Sequence, residues 1–250
     1  MTAGSAVPGY VAGRIREFSP TGCFVLPGST PVVAFGDPHR SKVATLGLNP
    51  SRTEFNERGV ELDGKARRFE TLRSLDVPAL ADAPDEIVDR VYRRCVDYFH
   101  GNPYRWFNPL EEIVQALGAS YFGDTACHLD LSQWATDPTW GRLPDSARTR
   151  LVAGDREFLK EQLQAEPVEL LLLNGKSVIQ AFRSVLGGRL HETSARVRDR
   201  SVNSTIYTGT IEGVEVIGWS TNLQSSFGVT REFRTLLAAA VAELAGVKGP

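Results

Sequence analysis

The residue whose position best suits chemistry is Asn49. It follows a short apolar run with β-branched members, Lys42–Gly47, which predicts a buried strand. Gly47 permits a close approach of backbone or ligand, and Pro50 prevents the strand from continuing. Asn49 is therefore expected on the loop at the carboxyl end of a strand, where open α/β sheets bind ligands. The alternative is an ordinary turn, because Asn-Pro is a common turn pair.

Asp130 is the second residue whose position suits chemistry. It lies near the end of another run that predicts a strand, Thr125–Leu131, and the segment Ser132–Pro138 leaves that strand. An ionised carboxylate only accepts hydrogen bonds, whereas a protonated carboxyl also donates one. Burial beside Leu129 and Leu131 would favour the protonated form. The alternative is that Asp130 only caps or orients the loop.

The elements that must position these residues alternate between helix and strand patterns. The predicted helices are Lys65–Leu75, Asp85–Phe99, Pro109–Leu117, Asp145–Gln164, Lys176–Leu186 and Thr230–Ala245. The further predicted strands are Val32–Phe35, Val168–Leu173, Thr205–Ile211 and Val214–Trp219, and a polar, Arg-rich loop is expected from Gly187 to about Ser204. This alternation predicts one three-layer α/β/α domain over residues 1–250 with a central, mainly parallel sheet. Residues 1–12 and 246–250 are expected to be flexible tails.

Composition limits the class of protein. The chain has 250 residues, of which 42% are hydrophobic, so it can bury a sizeable core. Its N-terminus lacks a basic region followed by an apolar core, and its longest aliphatic run, Leu170–Leu173, is too short to span a bilayer. A soluble cytoplasmic protein without membrane contact is therefore expected, and a monomer is assumed.

The charge is unevenly distributed along the chain. The formal net charge is −2, which argues against a globally basic nucleic-acid binder. Local basic clusters occur nevertheless, and each is usually a solvated face. They are Lys65/Arg67/Arg68, Arg90/Arg93/Arg94 and Arg196/Arg198/Arg200. A few such groups near a phosphate-binding site would be enough for weak attraction to DNA.

The three cysteines, Cys23, Cys95 and Cys127, are widely spaced and form no Cys-x-x-Cys pair. Three thiolates cannot supply the four ligands that an iron–sulfur cluster needs. The sequence therefore predicts reduced, mostly buried thiols and no iron–sulfur cluster.

Four segments of the chain, in this order, resemble motifs of the uracil-DNA glycosylase superfamily. The segments are Gly47–Ser51, His128–Trp134 with Thr136 and Pro138, Leu170–Lys176, and Trp219–Ser226. The first is similar to the Gly-X-Asn-Pro-Gly motif of the mismatch-specific and single-strand-selective branches. The resemblance covers most of the chain from about Val32 onward. It implies a uracil-DNA glycosylase-like fold and a monofunctional DNA N-glycosylase that leaves an abasic site without metal or organic cofactor.

The resemblance also implies roles for individual residues in binding single- or double-stranded DNA. Asn49 would orient the attacking water, Asp130 would be the second catalytic group, and Leu223 would fill the gap left by a flipped base. The implied base-binding residues are Gly47, Leu48, Phe55 and Asp130. The implied DNA-binding residues are Ser51, Arg52, Ser220, Thr221, Asn222, Leu223, Ser225 and Ser226. For Phe55 a packing role in the core is the alternative.

The departures from the family pattern bear on substrate and mechanism. Ser51 stands where those branches usually have Gly, and either Trp219 or Asn222 stands at the usual His or Asn of the last motif. Members of the superfamily that recognise uracil have Asn where this chain has Asp130. A carboxylate suits the exocyclic amine of cytosine, so a modified cytosine-type base is expected, and an anti-phage role is implied by similar bacterial members. The rival hypotheses are a uracil or thymine-mismatch repair glycosylase and a non-catalytic nucleic-acid-binding member.

Overall fold

A six-stranded, mostly parallel sheet with helices around it forms the largest element of this α/β protein. The computed structural model describes residues 7–200, 202–224 and 227–247. Its strands are Val43–Gly47 (β1), Asn56–Glu57 (β2), Val60–Glu61 (β3), Ala126–Asp130 (β4), Leu170–Asn174 (β5), Arg189–Asp199 (β6), Val202–Ile211 (β7) and Val214–Trp219 (β8). Its helices are Gly9–Ile15 (α1), Leu72–Leu75 (α2), Asp85–Val96 (α3), Asn108–Ala116 (α4), Asp145–Ala165 (α5), Lys176–Val185 (α6) and Arg231–Leu244 (α7).

The chain forms two compact units, and each is assembled from three separate stretches. The sheet unit comprises the described residues within 37–47, 104–129 and 162–247, and the loop unit comprises the described residues within 7–36, 48–103 and 130–161. Neither unit is a continuous segment of the chain. The expectation of a single domain over residues 1–250 stays a prediction.

The strand order of the main sheet is β4-β1-β5-β8-β7-β6, while β2 and β3 form a separate two-stranded sheet. Strand β5 pairs in parallel with β1 on one side and with β8 on the other. All five residues of β1, of β4 and of β5 are buried, as expected for strands covered on both faces. Since parallel strands end at the same edge, Gly47, Asn174 and Trp219 lie along one edge of this sheet.

The outer part of the sheet is antiparallel, and it holds a strand where a loop was predicted. Strand β6 pairs with β7, which in turn pairs with β8. In the second half of β6 the exposed Arg196 and Arg198 alternate with the buried Val197 and Asp199. This period of two is typical of a strand with one covered face, but the charged residues hide it when only apolar runs are counted.

Helices α6 and α7 lie on opposite faces of the sheet. The N-cap residue of α7, Thr230, donates a hydrogen bond from its hydroxyl to Asp199 of β6. The neighbouring Arg198 points to the other face, because successive side chains of a strand alternate. On that other face Arg183 of α6 stacks over the ring of Tyr207 of β7.

Several predicted elements were confirmed, and local signals explain where they begin. The helix predicted from Asp85 starts there, with Pro84 at the N-cap and acidic residues in the first turn. The last helix begins after Thr230, whose hydroxyl accepts from the backbone N–H of Phe233. The helices predicted from Pro109, Asp145 and Lys176 and the strands around Thr125–Leu131, Val168–Leu173, Thr205–Ile211 and Val214–Trp219 are present within a few residues.

Three other predictions were wrong in whole or in part. Val32–Phe35 is buried but forms no named strand, and the backbone N–H of Val32 donates to the carbonyl of Gln133. The helix expected over Lys65–Leu75 is only a 3-10 turn, Gly64–Ala66, and the short α2. Part of the predicted tail, residues 9–12, belongs to α1, whereas residues 1–6 and 248–250 lie outside the described residues.

The thiol prediction was confirmed, since Cys23, Cys95 and Cys127 are free and buried. Burial raises the pKa of the Cys95 thiol to about 11 and that of the Cys127 thiol to about 12. Among the residues that the structure describes, no helix has the length and apolar character needed to cross a membrane.

Candidate active site

The segments that leave β1 and β4 run side by side in the loop unit. The backbone N–H of Ser132 donates to the carbonyl of Leu48 at 3.0 Å, and further on Ser51 and Thr136 form a parallel bridge. This pairing continues beyond the strands and holds both segments in extended backbone. It places the loop carrying Asn49 against the segment that begins with Asp130.

The amide of Asn49 is fixed by two acceptors on the neighbouring segment. Its Nδ2 donates to the carbonyl oxygen of Trp134 at 3.0 Å and to the hydroxyl of Thr136 at 3.1 Å. A carbonyl oxygen can only accept, so the amide nitrogen must face it. Both N–H donors of Asn49 are thereby used. Its Oδ1 therefore faces away from these two acceptors and can itself accept a hydrogen bond. The half-buried Asn49 is thus oriented to hold a donor such as water.

A buried carboxyl, Glu54, follows Asn49 on the same loop. It ends a 3-10 turn, Arg52–Glu54, in which its backbone N–H donates to the carbonyl of Ser51 at 3.0 Å. The side chain of Ser51 accepts from the N–H of Thr53 and so caps the start of this turn. Glu54 is only 3% exposed, because the turn directs it into the loop unit.

Two side chains from more distant parts of the loop unit hold the Glu54 carboxyl. The hydroxyl of Tyr98 donates to Oε2 at 2.8 Å, and Nε of Arg68 lies 3.8 Å from the same oxygen. Arg68 is itself held by backbone, since it donates to the carbonyls of Thr53 at 2.7 Å and Asn102 at 2.8 Å. The guanidinium is therefore a fixed positive charge beside the carboxyl.

Burial raises the pKa of Glu54 from its usual 4.5 to about 7. Removal from water is the largest cause, and the charge of Asp130 acts in the same direction. The hydrogen bond from Tyr98 and the charge of Arg68 act against it by favouring the ionised form. A carboxyl with a pKa near neutrality can take up or release a proton under physiological conditions, which is what a general acid or base requires.

Asp130 is the second buried carboxyl of this site. It is 4% exposed and ends β4, and its backbone carbonyl accepts from Nε2 of Gln133 at 2.8 Å. Its charge acts on Glu54, so the two carboxyls belong to one electrostatic site. Because their segments are paired, Asn49 and Asp130 belong to the same part of the loop unit.

Other predicted site residues of this loop have mainly structural contacts. Phe55 is 3% exposed and its ring lies 5.6 Å from that of Phe69, which favours the alternative of core packing. Arg52 forms an ion pair with Asp137 at 2.9 Å. Gly47 is buried at the end of β1, and Leu48 contributes its carbonyl to the pairing with Ser132.

The last predicted motif lies in the sheet unit and is organised by Asn174. The Oδ1 of this residue accepts from the indole N–H of Trp219 at 2.9 Å and from the backbone N–H of Leu223 at 3.1 Å. Its Nδ2 donates to Gln224, which donates in turn to the carbonyl of Trp106 at 3.2 Å. One side chain at the end of β5 thereby fixes the loop that leaves β8.

The residues predicted to contact DNA in that loop are largely turned inward. Leu223 is 5% exposed and Thr221 is 7% exposed, so neither projects from the surface in this arrangement. The hydroxyl of Ser220 accepts from the backbone N–H of Thr205, and the side chain of Asn222 accepts from the N–H of Gln224. Trp219 is fully buried, so it does not present a polar group to solvent. Ser225 and Ser226 lie outside the described residues.

From the sequence, Asn174 was missed as an organising residue, and Glu54 was only a substitute candidate for the catalytic role of Asn49. Asn174 had a usable signal, because it ends an aliphatic strand much as Asn49 follows one. Glu54 had only its position five residues after Asn49 in a polar loop. Its burial depends on Tyr98 and Arg68, and neither can be assigned to it from spacing.

The site combines an oriented amide with two buried carboxyls. Within the described ranges, no group of three or more His, Cys, Asp or Glu side chains is arranged to hold a metal ion. Asn49 can orient a water molecule, Glu54 can exchange a proton near neutral pH, and Asp130 can add negative charge or accept from a donor. No protein-family model matches this chain, and neither does any curated protein.

Proposed function

We propose that this protein is a monofunctional DNA glycosylase with a uracil-DNA glycosylase-like fold, which excises a base by hydrolysing the N-glycosidic bond. The observation that carries the proposal is the pairing of the two strand-end loops. It joins an amide with a fixed orientation, Asn49, to a site with two buried carboxyls, Glu54 and Asp130. The α/β fold and the order of the four motifs along the chain support the assignment.

In the proposed reaction Asn49 holds the attacking water through its Oδ1. The ionised Glu54 accepts a proton from this water while the water oxygen bonds to C1′ of the sugar. The electron pair of the C1′–N bond leaves with the base, which takes up a proton from solvent, and Glu54 then returns its proton to solvent. Before this proton transfer, negative charge at Glu54 and Asp130 stabilises the positive charge that develops on the sugar, and burial strengthens this interaction.

Asp130 is proposed to select the base. An ionised carboxylate accepts a hydrogen bond from the exocyclic amine of cytosine, whereas it repels O4 of uracil or thymine. A modified cytosine-type base is therefore the proposed substrate, and defence against phage DNA is the proposed setting. Since Asp130 is buried, the base must be taken out of the duplex to reach it, as in other enzymes that act on a base.

The proposed wedge Leu223 requires a change in its loop. Its side chain is buried, and its backbone N–H is held by Asn174. We propose that DNA binding releases the Leu223–Gln224 turn from Asn174, which frees Leu223 to enter the stack. The same release would expose the hydroxyls of Ser220 and Thr221 to phosphates.

The test is single-turnover excision on a panel of oligonucleotides, each with one modified cytosine, uracil, or thymine opposite guanine. The wild-type protein is expected to excise a modified cytosine fastest. Asn49→Ala should slow this step by about 100-fold or more, the usual effect of removing a positioned polar catalytic group. The control is Asn56→Ala in β2, which removes an amide from the same unit outside the site and should keep full activity.

The outcomes separate the rival hypotheses. Preference for uracil or mismatched thymine would assign the protein to repair and remove Asp130 from base selection. DNA binding without excision of any base would favour the non-catalytic alternative. Full activity of Asn49→Ala would contradict the proposed positioning of water.

A further inference from the structure

The hairpin of β6 and β7 presents a polar, basic face on the side of α6. Its pairing register sets Arg196 opposite Thr205 and Arg198 opposite Asn203. Residues paired directly across two strands point to the same face, so these four side chains share one surface. Tyr207 of β7 lies on this surface too, because it is two and four residues from Thr205 and Asn203.

The two faces of this hairpin differ in what covers them. Val197 is 4% exposed, and Asp199 is held by Thr230 at the start of α7, so α7 covers that face. On the other face Arg196 and Arg198 are exposed. An outer strand that carries arginines on its uncovered face has a surface suited to an anionic partner.

A groove between α6 and β7 continues this face. It has a volume of about 450 Å³. Its lining residues are Lys176, Ile179, Gln180, Arg183, Ser184 and Tyr207. The guanidinium of Arg183 lies 5.0 Å from the centre of the Tyr207 ring and donates to the carbonyl of Leu190 at 3.1 Å. A planar cation and an aromatic ring are thus held together in the wall of the groove.

The charge of this face is opposite to that of the whole chain. Lys176 and Arg183 in the groove and Arg196 and Arg198 on the hairpin are all exposed cations. In the described parts of β6 and β7, Glu192 is the carboxylate placed on the same face, and it pairs with Arg196. The chain as a whole carries a formal charge of −2, so positive charge is concentrated here.

We propose that this face, defined by Lys176, Arg183, Arg196, Arg198 and Tyr207 and called here the hairpin face, binds a single strand of nucleic acid. The cations contact successive phosphates, and a base stacks against the Arg183–Tyr207 pair in the groove. Strand binding by such proteins combines cations along the backbone with an aromatic platform for bases. A segment of Asp and Glu residues would use the cations, but its carboxylates offer no aromatic face to stack on the ring of Tyr207. The proposal concerns a binding surface and does not require glycosidic chemistry.

The experiment measures the affinity of the full chain for a fluorescein-labelled single-stranded oligonucleotide by anisotropy over a range of salt concentrations. The test variant carries Lys176→Gln, Arg196→Gln and Arg198→Gln. The control variant carries Arg93→Gln, Arg156→Gln and Lys160→Gln, which removes the same charge from α3 and α5. The expected result is a loss of affinity of at least about tenfold at low salt in the test variant. The slope of log affinity against log salt should also fall by about 2, as expected for three phosphate contacts on a single strand.

A second variant, Tyr207→Leu, tests the stacking platform at unchanged charge. It should weaken oligonucleotide binding by about tenfold while the salt slope stays the same. Binding of polyglutamate, which offers charge without bases, should be weaker than that of the oligonucleotide and unaffected by Tyr207→Leu. Equal binding of the two polymers would instead indicate an acidic protein partner and overturn the proposal.

Other outcomes distinguish this proposal from the proposed function. Unchanged affinity and salt slope in the triple variant would overturn the proposal that the hairpin face binds nucleic acid, but would not bear on the proposed glycosylase activity. If the triple variant loses strand binding and the wild type excises no base, the glycosylase assignment is refuted and the proposed binding at the hairpin face is supported. Circular dichroism and urea unfolding of each variant test whether the fold is kept, which is expected because all substituted side chains except those of Lys160 and Tyr207 are exposed, and these two are partly exposed.

Discussion

The raised pKa of Glu54 predicts a specific dependence of stability on pH. In the folded protein this carboxyl keeps its proton up to about pH 7, whereas in the unfolded chain it ionises near 4.5. Between these values the folded state binds more protons than the unfolded state, so Glu54 lowers the free energy of unfolding as the pH rises. The two pKa values correspond to a loss of about 3 kcal/mol, complete above pH 7 and absent below 4.5.

The perturbation that isolates this effect is Glu54→Gln. The amide keeps the shape of the protonated carboxyl and can still accept from Tyr98, but it does not ionise. The free energy of unfolding of the variant minus that of the wild type should therefore increase by about 3 kcal/mol from pH 4.5 to 7.5. Ionisable groups common to both proteins cancel in this difference.

The assay is urea unfolding followed by circular dichroism at several pH values between 4.5 and 8. The matched control is Glu161→Gln on α5, which removes one carboxylate from an exposed position. Its difference from the wild type should stay within about 0.5 kcal/mol throughout, as is usual for a surface substitution. A difference between Glu54→Gln and the wild type that does not change with pH would refute the reasoning.

Three further predictions follow from the site and its supporting loop. Asp130→Asn should shift the ratio of single-turnover excision rates from modified cytosine toward uracil by about tenfold to 100-fold, and an unchanged ratio would show that Asp130 does not contact the base. Gly175→Ala should lower the free energy of unfolding, measured in urea, by about 1–2 kcal/mol, because Gly175 has φ of +99° and an added Cβ would meet the loop after β8 at 3.0 Å. The control is Gly154→Ala, in open space within α5, which should be neutral or stabilising. Trp219→Phe should cost about 1–3 kcal/mol in the same assay, since it removes a donor from the buried Asn174, and a neutral effect would deny that Asn174 organises the loop.

The central strands could be predicted because their apolar composition favours burial. β1 and β5 are short, mainly apolar runs, and a run of this kind is stable only where both faces are covered. β6 was missed because its uncovered face carries arginines, so its pattern depends on which face the fold covers. Val32–Phe35 shows the converse, since it is buried without joining the sheet.

The candidate site was predictable only in part, for a related reason. Asn49 and Asp130 could be found because each lies at the end of an apolar strand. The burial of Glu54 could not be predicted, because it depends on the contacts with Tyr98 and Arg68 from more distant segments. Likewise, the sequence placed Leu223 and Thr221 in a polar loop, but the hydrogen bonds of Asn174 and Ser204 draw this loop inward.

The interleaving of the two units has a consequence for how the chain is made. The ribosome releases β1 early, but β5, its partner at the centre of the sheet, is encoded more than 120 residues later. At typical elongation rates of about 5–20 residues per second, β1 waits for that partner for about 6–25 s. During this interval an apolar strand edge is open to other chains, which is the usual reason for chaperone engagement. Truncated products that end before β5 should therefore accumulate as aggregates rather than as folded fragments.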